Sequence, residues 1–390
     1  MARDTFSEKQ VSVSQFIKRH LTALRKPDFQ SKTFRKRRWR LLQVESSLAC
    51  NLRCIMCPWK ATRRIAPGRG LLPPEIWESI RPHLPEVQSI DFTGGGEPLL
   101  QPHLAGWIAE AKAAGCETGF LTNGLLLQKH QLQGFLLAGV DWICVSMDGA
   151  TKEMHESIRI GSDFDRVCEN VAQIAALRRR RAPKTMINFV LMEMNFHQVE
   201  EIIRLAARLG VDQVNYKQCD VIRGEHGQDL GLFDVQETQA IRRLQKALEK
   251  ARRLARRLNV QTTAFAFTPE EQPVCEQDPR NSLFVRHDGA VAPCINLAIG
   301  GPTTFLGQSV NMPTVHFGRL PEDDLLNLWE TATCRFYRER FQQRVQAHEK
   351  SLMKSLIGSS SNRLKILQAA QKAMPDAPQG CDVCHYLYDI

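Results

Sequence analysis

No stretch of this 390-residue chain approaches the ~20 consecutive apolar residues that a membrane helix needs. The start, Met1-Ala2-Arg3-Asp4, is polar and offers no apolar segment of a secretory signal. These two absences argue against a membrane-spanning protein and against an oxidising destination, and a cytoplasmic location is expected. They also change how the twelve cysteines are read. In a reducing compartment they point to metal ligation, not to a disulfide framework. Hydrophobic residues make up 43% and charged residues 24% of the chain, enough for a sizeable soluble core: one large barrel with an appended module. The formal net charge of +10 fits nucleic acid, an anionic substrate or merely a basic surface, and does not choose among them.

What is present is concentrated in Cys50-Asn51-Leu52-Arg53-Cys54-Ile55-Met56-Cys57, a C-x3-C-x2-C arrangement just after the short apolar segment 41–45. Thiolates this close together on an irregular loop can converge on one metal centre, and soft sulfur favours iron–sulfur clusters or zinc. Three is the informative number, because a four-iron cluster held by three protein thiolates keeps one iron open to another ligand. A zinc knuckle or a chance group of buried thiols is the alternative that spacing alone leaves standing.

From residue 41 to about 218 the chain alternates β-rich runs with amphipathic segments. Strands are expected at 41–45, 89–93, 117–122, 142–147, 185–192 and 213–217, and helices near 74–83, 102–114, 128–138, 163–179 and 197–209. Such alternation means an α/β fold with a parallel sheet, and chemistry at the C-terminal ends of the strands. Those ends carry Gly94-Gly95-Gly96-Glu97-Pro98, then Asn123, then Ser146-Met147-Asp148 with Arg159 beyond, and finally Lys217, Cys219 and Asp220. The alternative for each is a turn, a cap or a loop ion pair. Cys116, Cys144, Cys168 and Cys334 fall in or beside predicted elements and read as small buried hydrophobes.

Four regions are expected: a basic leader over 1–40, a core barrel over 41–234, a connector over 235–272 and a C-terminal module over 273–390. The leader holds a helix near 7–24 and a basic run at 35–40, which reads as a solvated face. The connector carries a strongly basic helix over 236–258. In the module, Cys275, Gly289 and Cys294 stand in the pattern C-x13-G-x4-C. Two β-like runs, 282–285 and 290–293, flank the turn His287-Asp288-Gly289 and predict a hairpin that brings both cysteines together. Cys381 and Cys384 follow a polar helical insertion (341–380) that is broken at Gly358-Ser359-Ser360-Ser361.

The cysteine triplet resembles the signature of the radical S-adenosylmethionine (SAM) enzymes, in which Cys-Asn-Leu-Arg-Cys is a common form. That resemblance implies a partial (β/α)6 TIM-like barrel and a cluster at Cys50, Cys54 and Cys57 whose open iron chelates SAM. SAM would be reductively cleaved to methionine and a 5′-deoxyadenosyl radical. It also implies that Gly95, Gly96, Glu97 and Pro98 receive the SAM amino group and that Asn123, Ser146 and Asp148 face the ribose. Arg159 would meet the carboxylate. Met56 stands where the family usually has an aromatic residue near the adenine.

The C-terminal region resembles the SPASM/twitch extension, a small hairpin-and-helix iron–sulfur module. Where a full SPASM domain has its next cysteine, this chain has Ile390. Cys275, Cys294, Cys381 and Cys384 then suffice for one fully ligated auxiliary cluster, with structural zinc as the alternative. The expected cofactors are two [4Fe-4S] clusters and SAM, served by a flavodoxin- or ferredoxin-type electron donor. Lys217, Cys219 and Asp220 are the substrate-facing candidates. The leading expectation is a radical SAM oxidoreductase acting on a small molecule such as a sugar or cyclitol. A peptide maturase or an epimerase comes second, the short leader weighing against a peptide. A zinc-stabilised nucleic-acid-binding protein is the distant alternative; neither nucleic acid nor membrane is expected as a partner.

Overall fold

The alternation of the chain folds as a parallel sheet because each strand is followed by a helix that returns the chain across one face. The computed structural model describes residues 37–59, 70–179, 182–219, 238–267, 269–357 and 363–390. The expected leader helix and Asp220 lie outside the described residues. Six strands pair in parallel in chain order: β1 (Trp39–Val44), β2 (Val87–Asp91), β3 (Glu117–Thr122), β4 (Trp142–Ser146), β5 (Lys184–Leu191) and β6 (Gln213–Gln218). Between them run α1 (Pro74–Ile80), α2 (Leu104–Ala113), α3 (Lys129–Ala138), α4 (Lys152–Ile158), α5 (Phe164–Leu177) and α6 (Val199–Leu209). The local chemistry that delimits them is visible. Asp163 caps α5 through the Arg166 amide, and Gly139 and Gly210, both left-handed, end α3 and α6.

β5 shows how the layers divide. Thr185, Ile187, Phe189 and Leu191 are buried, while the alternate residues, Asn188 among them, are half-buried. Ile187 and Phe189 belong to the same core as Val171 and Ile174 of α5 and Ile202 of α6. The alternation therefore separates a helix-facing apolar layer from a more polar interior, where the Cys144 thiol and the Asn215 amide both donate to Asn188 Oδ1, at 3.1 and 2.9 Å.

The sheet extends beyond six strands at both edges. After the basic helix α7 (Thr238–Arg257), β7 (Gln261–Thr263) adds in parallel to β6. On the other side β8 (Ser282–Val285) pairs in parallel with β1, and β9 (Ala290–Ala292) pairs antiparallel with β8 as the hairpin expected from the His287-Asp288-Gly289 turn. A separate hairpin joins β10 (Gly301–Phe305) to β11 (Gln308–Met312), and β12 (Gly318–Arg319) pairs with β9. The ten strands form a linear order, β12-β9-β8-β1-β2-β3-β4-β5-β6-β7, so the barrel is open. α8 (Ile295–Ile299), α9 (Leu325–Trp329), α10 (Ala332–Ile357) and α11 (Arg363–Lys372) complete the C-terminal part, with α10 against α11.

The basic run at 35–40 is not the solvated face expected, over the part described. Trp39 is fully buried and meets Trp329 edge-on, ring centroids 5.9 Å apart. The Arg37 guanidinium donates to the carbonyls of Val87 and Ala114. One aromatic among five basic residues was the buried one, and its burial starts β1 two residues earlier than expected. Of the four cysteines read as small hydrophobes, Cys116, Cys144 and Cys334 are buried and Cys168 is half-buried.

Candidate active site

The segment after β1 carries Cys50, Cys54 and Cys57 across the C-terminal ends of the strands, and three neighbouring loops hold it there. The loop after β2 lies along residues 47–49: the Gly96 amide donates to the Ser47 carbonyl (3.0 Å) and the Glu97 amide to that of Ala49 (2.7 Å). Contact is close because three glycines permit it. A Cβ on Gly94 would stand 2.2 Å from Glu45 Cγ, one on Gly95 2.8 Å from Leu48, and one on Gly96 2.3 Å from the Ala49 carbonyl oxygen. The space a side chain would fill at these glycines is thus occupied by the protein's own cysteine-bearing segment.

The loop after β3 is the second support. Asn123 Nδ2 donates to Asn51 Oδ1 at 2.8 Å, inside the C-x3-C stretch. Glu97, buried, accepts from Thr122 Oγ1 (2.6 Å) and from the amides of Asn123 (2.8 Å) and Leu99 (3.1 Å), and so ties the two loops to each other. Burial raises its pKa against those hydrogen bonds. The third support is the end of α4: the amides of Arg53 and Ile55 donate to the carbonyls of Ile160 and Ile158, each at 2.9 Å.

Arg159 stands at that same helix end and is buried. Its Nη2 is 2.7 Å from Asp148 Oδ2 and its Nη1 3.8 Å from the Cys54 sulfur. Asp148 also accepts the Val190 amide at 2.8 Å, so its carboxylate holds Arg159 in place. Burial raises the Cys54 thiol pKa, and the Arg159 charge pulls it back towards thiolate. Arg159 Nε is buried and has no hydrogen-bond partner among the described residues. His155, one turn before, is held neutral by burial, with a pKa lowered to about 3. The SAM-facing candidates Gly95, Gly96, Glu97, Asn123, Asp148 and Arg159 thus share one end of the barrel with the cysteines; Pro98 opens the short turn after Glu97 and Ser146 ends β4.

The substrate-facing candidates divide. Cys219 is buried beside Ile158 and Met192, with Ile55 and Met56 against the same cluster, which places it next to the cysteine loop. Lys217 is half-exposed and 3.6 Å from Glu276, the neighbour of Cys275.

The second group of thiols is assembled from three distant pieces of chain. Cys275 precedes β8, Cys294 precedes α8, and Cys381 and Cys384 sit on a turn in which the Cys384 amide donates to the Cys381 carbonyl at 3.3 Å. The Cys57 amide meets the Cys54 carbonyl at the same distance, so both C-x2-C pairs share one turn geometry. All four line a single cavity whose other walls include Ile295, Leu297, Met312 and Leu387. Burial, reinforced by the three neighbouring cysteines, raises the Cys381 pKa, and burial lifts Cys275 to about 12. Such thiols are inert until a metal draws off their protons. Four sulfurs lining one apolar cavity make a ligand set of the size that a cubane cluster or a tetrahedral ion takes.

Three participants were not visible in the sequence. Glu45, directly after β1, is a buried carboxylate. It accepts the Gly95 amide on Oε1 (2.8 Å), and the ring Nδ1 of His287 (2.7 Å) and its amide (3.2 Å) on Oε2. An acidic residue closing an apolar strand was the available signal; His287 had none, lying 242 positions away. Arg344, midway along α10, is buried and donates to the carbonyls of Gln272, Pro273 and Pro375 and to Glu271.

Comparison with known proteins finds one family match across Cys50, Cys54 and Cys57 and another that takes in Cys275 and Cys294. Residues 44–206 match the model of the radical SAM superfamily, and residues 275–355 that of the SPASM iron–sulfur cluster-binding domain. A tungsten-containing aldehyde ferredoxin oxidoreductase cofactor-modifying protein of Pyrococcus furiosus is 25% identical over 306 residues, 76% of this chain and 82% of that one. An AdoMet-dependent heme synthase of Methanosarcina barkeri is 30% identical over 177 residues, 44% of this chain and 48% of that one. In fold, the chain resembles Streptococcus suis SuiB bound to S-adenosylmethionine, with a TM-score of 0.57 at 16% identity over 84% of this chain and 73% of that one. The chain belongs to the radical SAM superfamily and carries a SPASM-type iron–sulfur domain on the C-terminal side of its partial barrel.

Proposed function

We propose that this radical SAM enzyme is an oxidoreductase with two [4Fe-4S] clusters, acting on a small molecule of the cofactor-precursor kind. The observation that carries this reading is the pair of thiol sets: three at the strand ends beside Arg159, and four around one apolar cavity. When bound, the first cluster with SAM supplies a 5′-deoxyadenosyl radical that takes a hydrogen atom from substrate, and the second an acceptor for the remaining electron. Cys50, Cys54 and Cys57 hold the first and leave one iron for SAM. Arg159 would pair with the methionyl carboxylate, its Nε having no hydrogen-bond partner among the described residues. The loop of Gly95, Gly96, Glu97 and Pro98 receives the amino group. Cys275, Cys294, Cys381 and Cys384 hold the second cluster. A flavodoxin- or ferredoxin-type protein supplies the electron.

The substrate class rests on the two curated relatives, whose names describe cofactor modification and heme synthesis. The sugar or cyclitol expected from sequence has no such support. Metal analysis of anaerobically reconstituted protein tests the whole reading. About eight irons are expected, half of them lost with all SAM cleavage when Cys50, Cys54 and Cys57 become Ala. Tightly bound zinc without iron would overturn it.

A second outcome for the substrate radical is favoured by one observation, the burial of Cys219 beside Met56 and the cysteine loop. A thiol there could return a hydrogen atom, giving epimerisation with no net oxidation of substrate. The thiyl radical left on Cys219 then takes an electron from the donor protein and a proton from solvent. Turnover in heavy water separates the two. Oxidation yields a product lighter by two hydrogens; an isomer carrying one deuterium, abolished in Cys219→Ala, would make the enzyme an epimerase.

A further inference from the structure

Glu45 and His287 form a buried hydrogen-bonded link between the two halves of the molecule. Glu45 is 1% exposed and His287 9%. With Glu45 ionised, its carboxylate can only accept, so the proton of the imidazole lies on Nδ1. One oxygen then serves the Gly95 amide of the barrel, and the other serves two donors of His287 in the turn between β8 and β9. The turn is itself fixed. Gly289 has φ +87°, and a Cβ there would stand 2.1 Å from the Leu320 carbonyl oxygen. The Glu45 amide donates to the Val285 carbonyl at 2.8 Å, which locks the register of β1 and β8, the strands that lead into the two residues. Gly94 and Gly95 press against the Glu45 side chain, with Gly95 flanked on its other sides by Leu48 and Trp59. The orientation of one carboxylate therefore sets where the Gly95 amide lies, at the start of the loop.

We propose that Glu45 and His287 are positioning residues for the SAM-binding loop, so that SAM affinity at the barrel depends on a hydrogen bond from the C-terminal module. The inference rests on the reading of residues 95–98 as that loop. It predicts a specific chemistry for substitutions. Asparagine at 287 keeps a donor near the place of Nδ1, whereas leucine keeps only bulk. Glutamine at 45 still accepts from Gly95, but turns a donor towards the His287 amide.

The test uses the full chain, anaerobically reconstituted and reduced with dithionite. The change in the cluster EPR spectrum on titration with SAM is followed alongside iron content. His287→Leu and Glu45→Gln should keep their iron and weaken SAM binding by about 10-fold, the scale of one hydrogen bond to a charged group. His287→Asn should stay within about 3-fold of the unsubstituted protein. The double variant should be no weaker than the worse single one, since both act through one link. Unchanged SAM affinity in His287→Leu would overturn the proposal. So would a His287→Asn variant no better than His287→Leu, or loss of iron in His287→Leu that His287→Asn fails to restore, which is the mark of a purely fold-holding role. An unsubstituted protein whose cluster spectrum ignores SAM would instead sink the proposed function itself.

Discussion

Asp91 ends β2 with its carboxylate enclosed by protein but still reachable by solvent. Its Oδ1 takes both the amide and the hydroxyl of Thr93. Burial outweighs those two bonds and raises its pKa from 3.8 to about 6. The sign of the consequence follows from linkage. The folded state holds this proton more tightly than the unfolded one, so stability falls as pH rises from about 4 to 6, and the loss is complete above that. Asp91→Asn keeps the acceptor for Thr93 and has no charge to bury. It should be more stable than the parent at pH 7.5 by at most about 3 kcal/mol, and nearly equal to it at pH 4. Urea unfolding at the two pH values checks this; a difference that does not change with pH would refute the assignment. The opposite case is Asp148, whose buried carboxylate meets a buried cation. Asp148→Ala strands Arg159 and should cost about 3–5 kcal/mol in the same assay.

Glycine has two different meanings in the elements of this fold, and substitutions separate them. Gly96→Ala puts a methyl group 2.3 Å from the Ala49 carbonyl, directly before Cys50. It should displace the cysteine segment and lower iron and SAM cleavage together, while the iron of the C-terminal site remains. Gly106, exposed in the first turn of α2, has nothing within 4 Å of its missing Cβ. Gly106→Ala should raise stability by about 0.5–1 kcal/mol, with metal content unchanged. Iron analysis and thermal unfolding of the two variants, side by side, make the comparison. The elements were the legible part: the six parallel strands, the hairpin around His287-Asp288-Gly289 and the basic helix all stand within a few residues of where apolar alternation and turn chemistry put them. The site was legible as far as its motifs, because cysteine spacing and a glycine run are local. The link from Glu45 to His287 was not, since a carboxylate finding a partner 242 positions away leaves no local periodicity. Trp39 was misread for a related reason, as the surface that covers it, Trp329, is almost 300 residues distant.

Across the whole molecule, the C-terminal thiol site hangs on a few long-range contacts, and Arg344 is the one most easily tested. Its guanidinium, 1% exposed, bonds the chain just before Cys275 and the Pro375 carbonyl ahead of Cys381. Arg344→Met leaves several buried carbonyls without their donor and should cost about 3 kcal/mol or more. It should release the iron of that site first, leaving the EPR signal of the first cluster and its response to SAM intact. Equal loss of both signals would show that the two halves unfold as one.

The parallel pairing of β1 with β8 also bears on how the protein is made. During synthesis β1 leaves the ribosome about 240 residues ahead of its second partner. At ~5–20 residues per second it waits roughly 10–50 s with one edge unpaired. An edge of this kind is a template for a neighbouring chain. Slower translation of the second half should therefore favour aggregation on the way to the fold, and a chain cut short before residue 282 would keep that edge exposed for good.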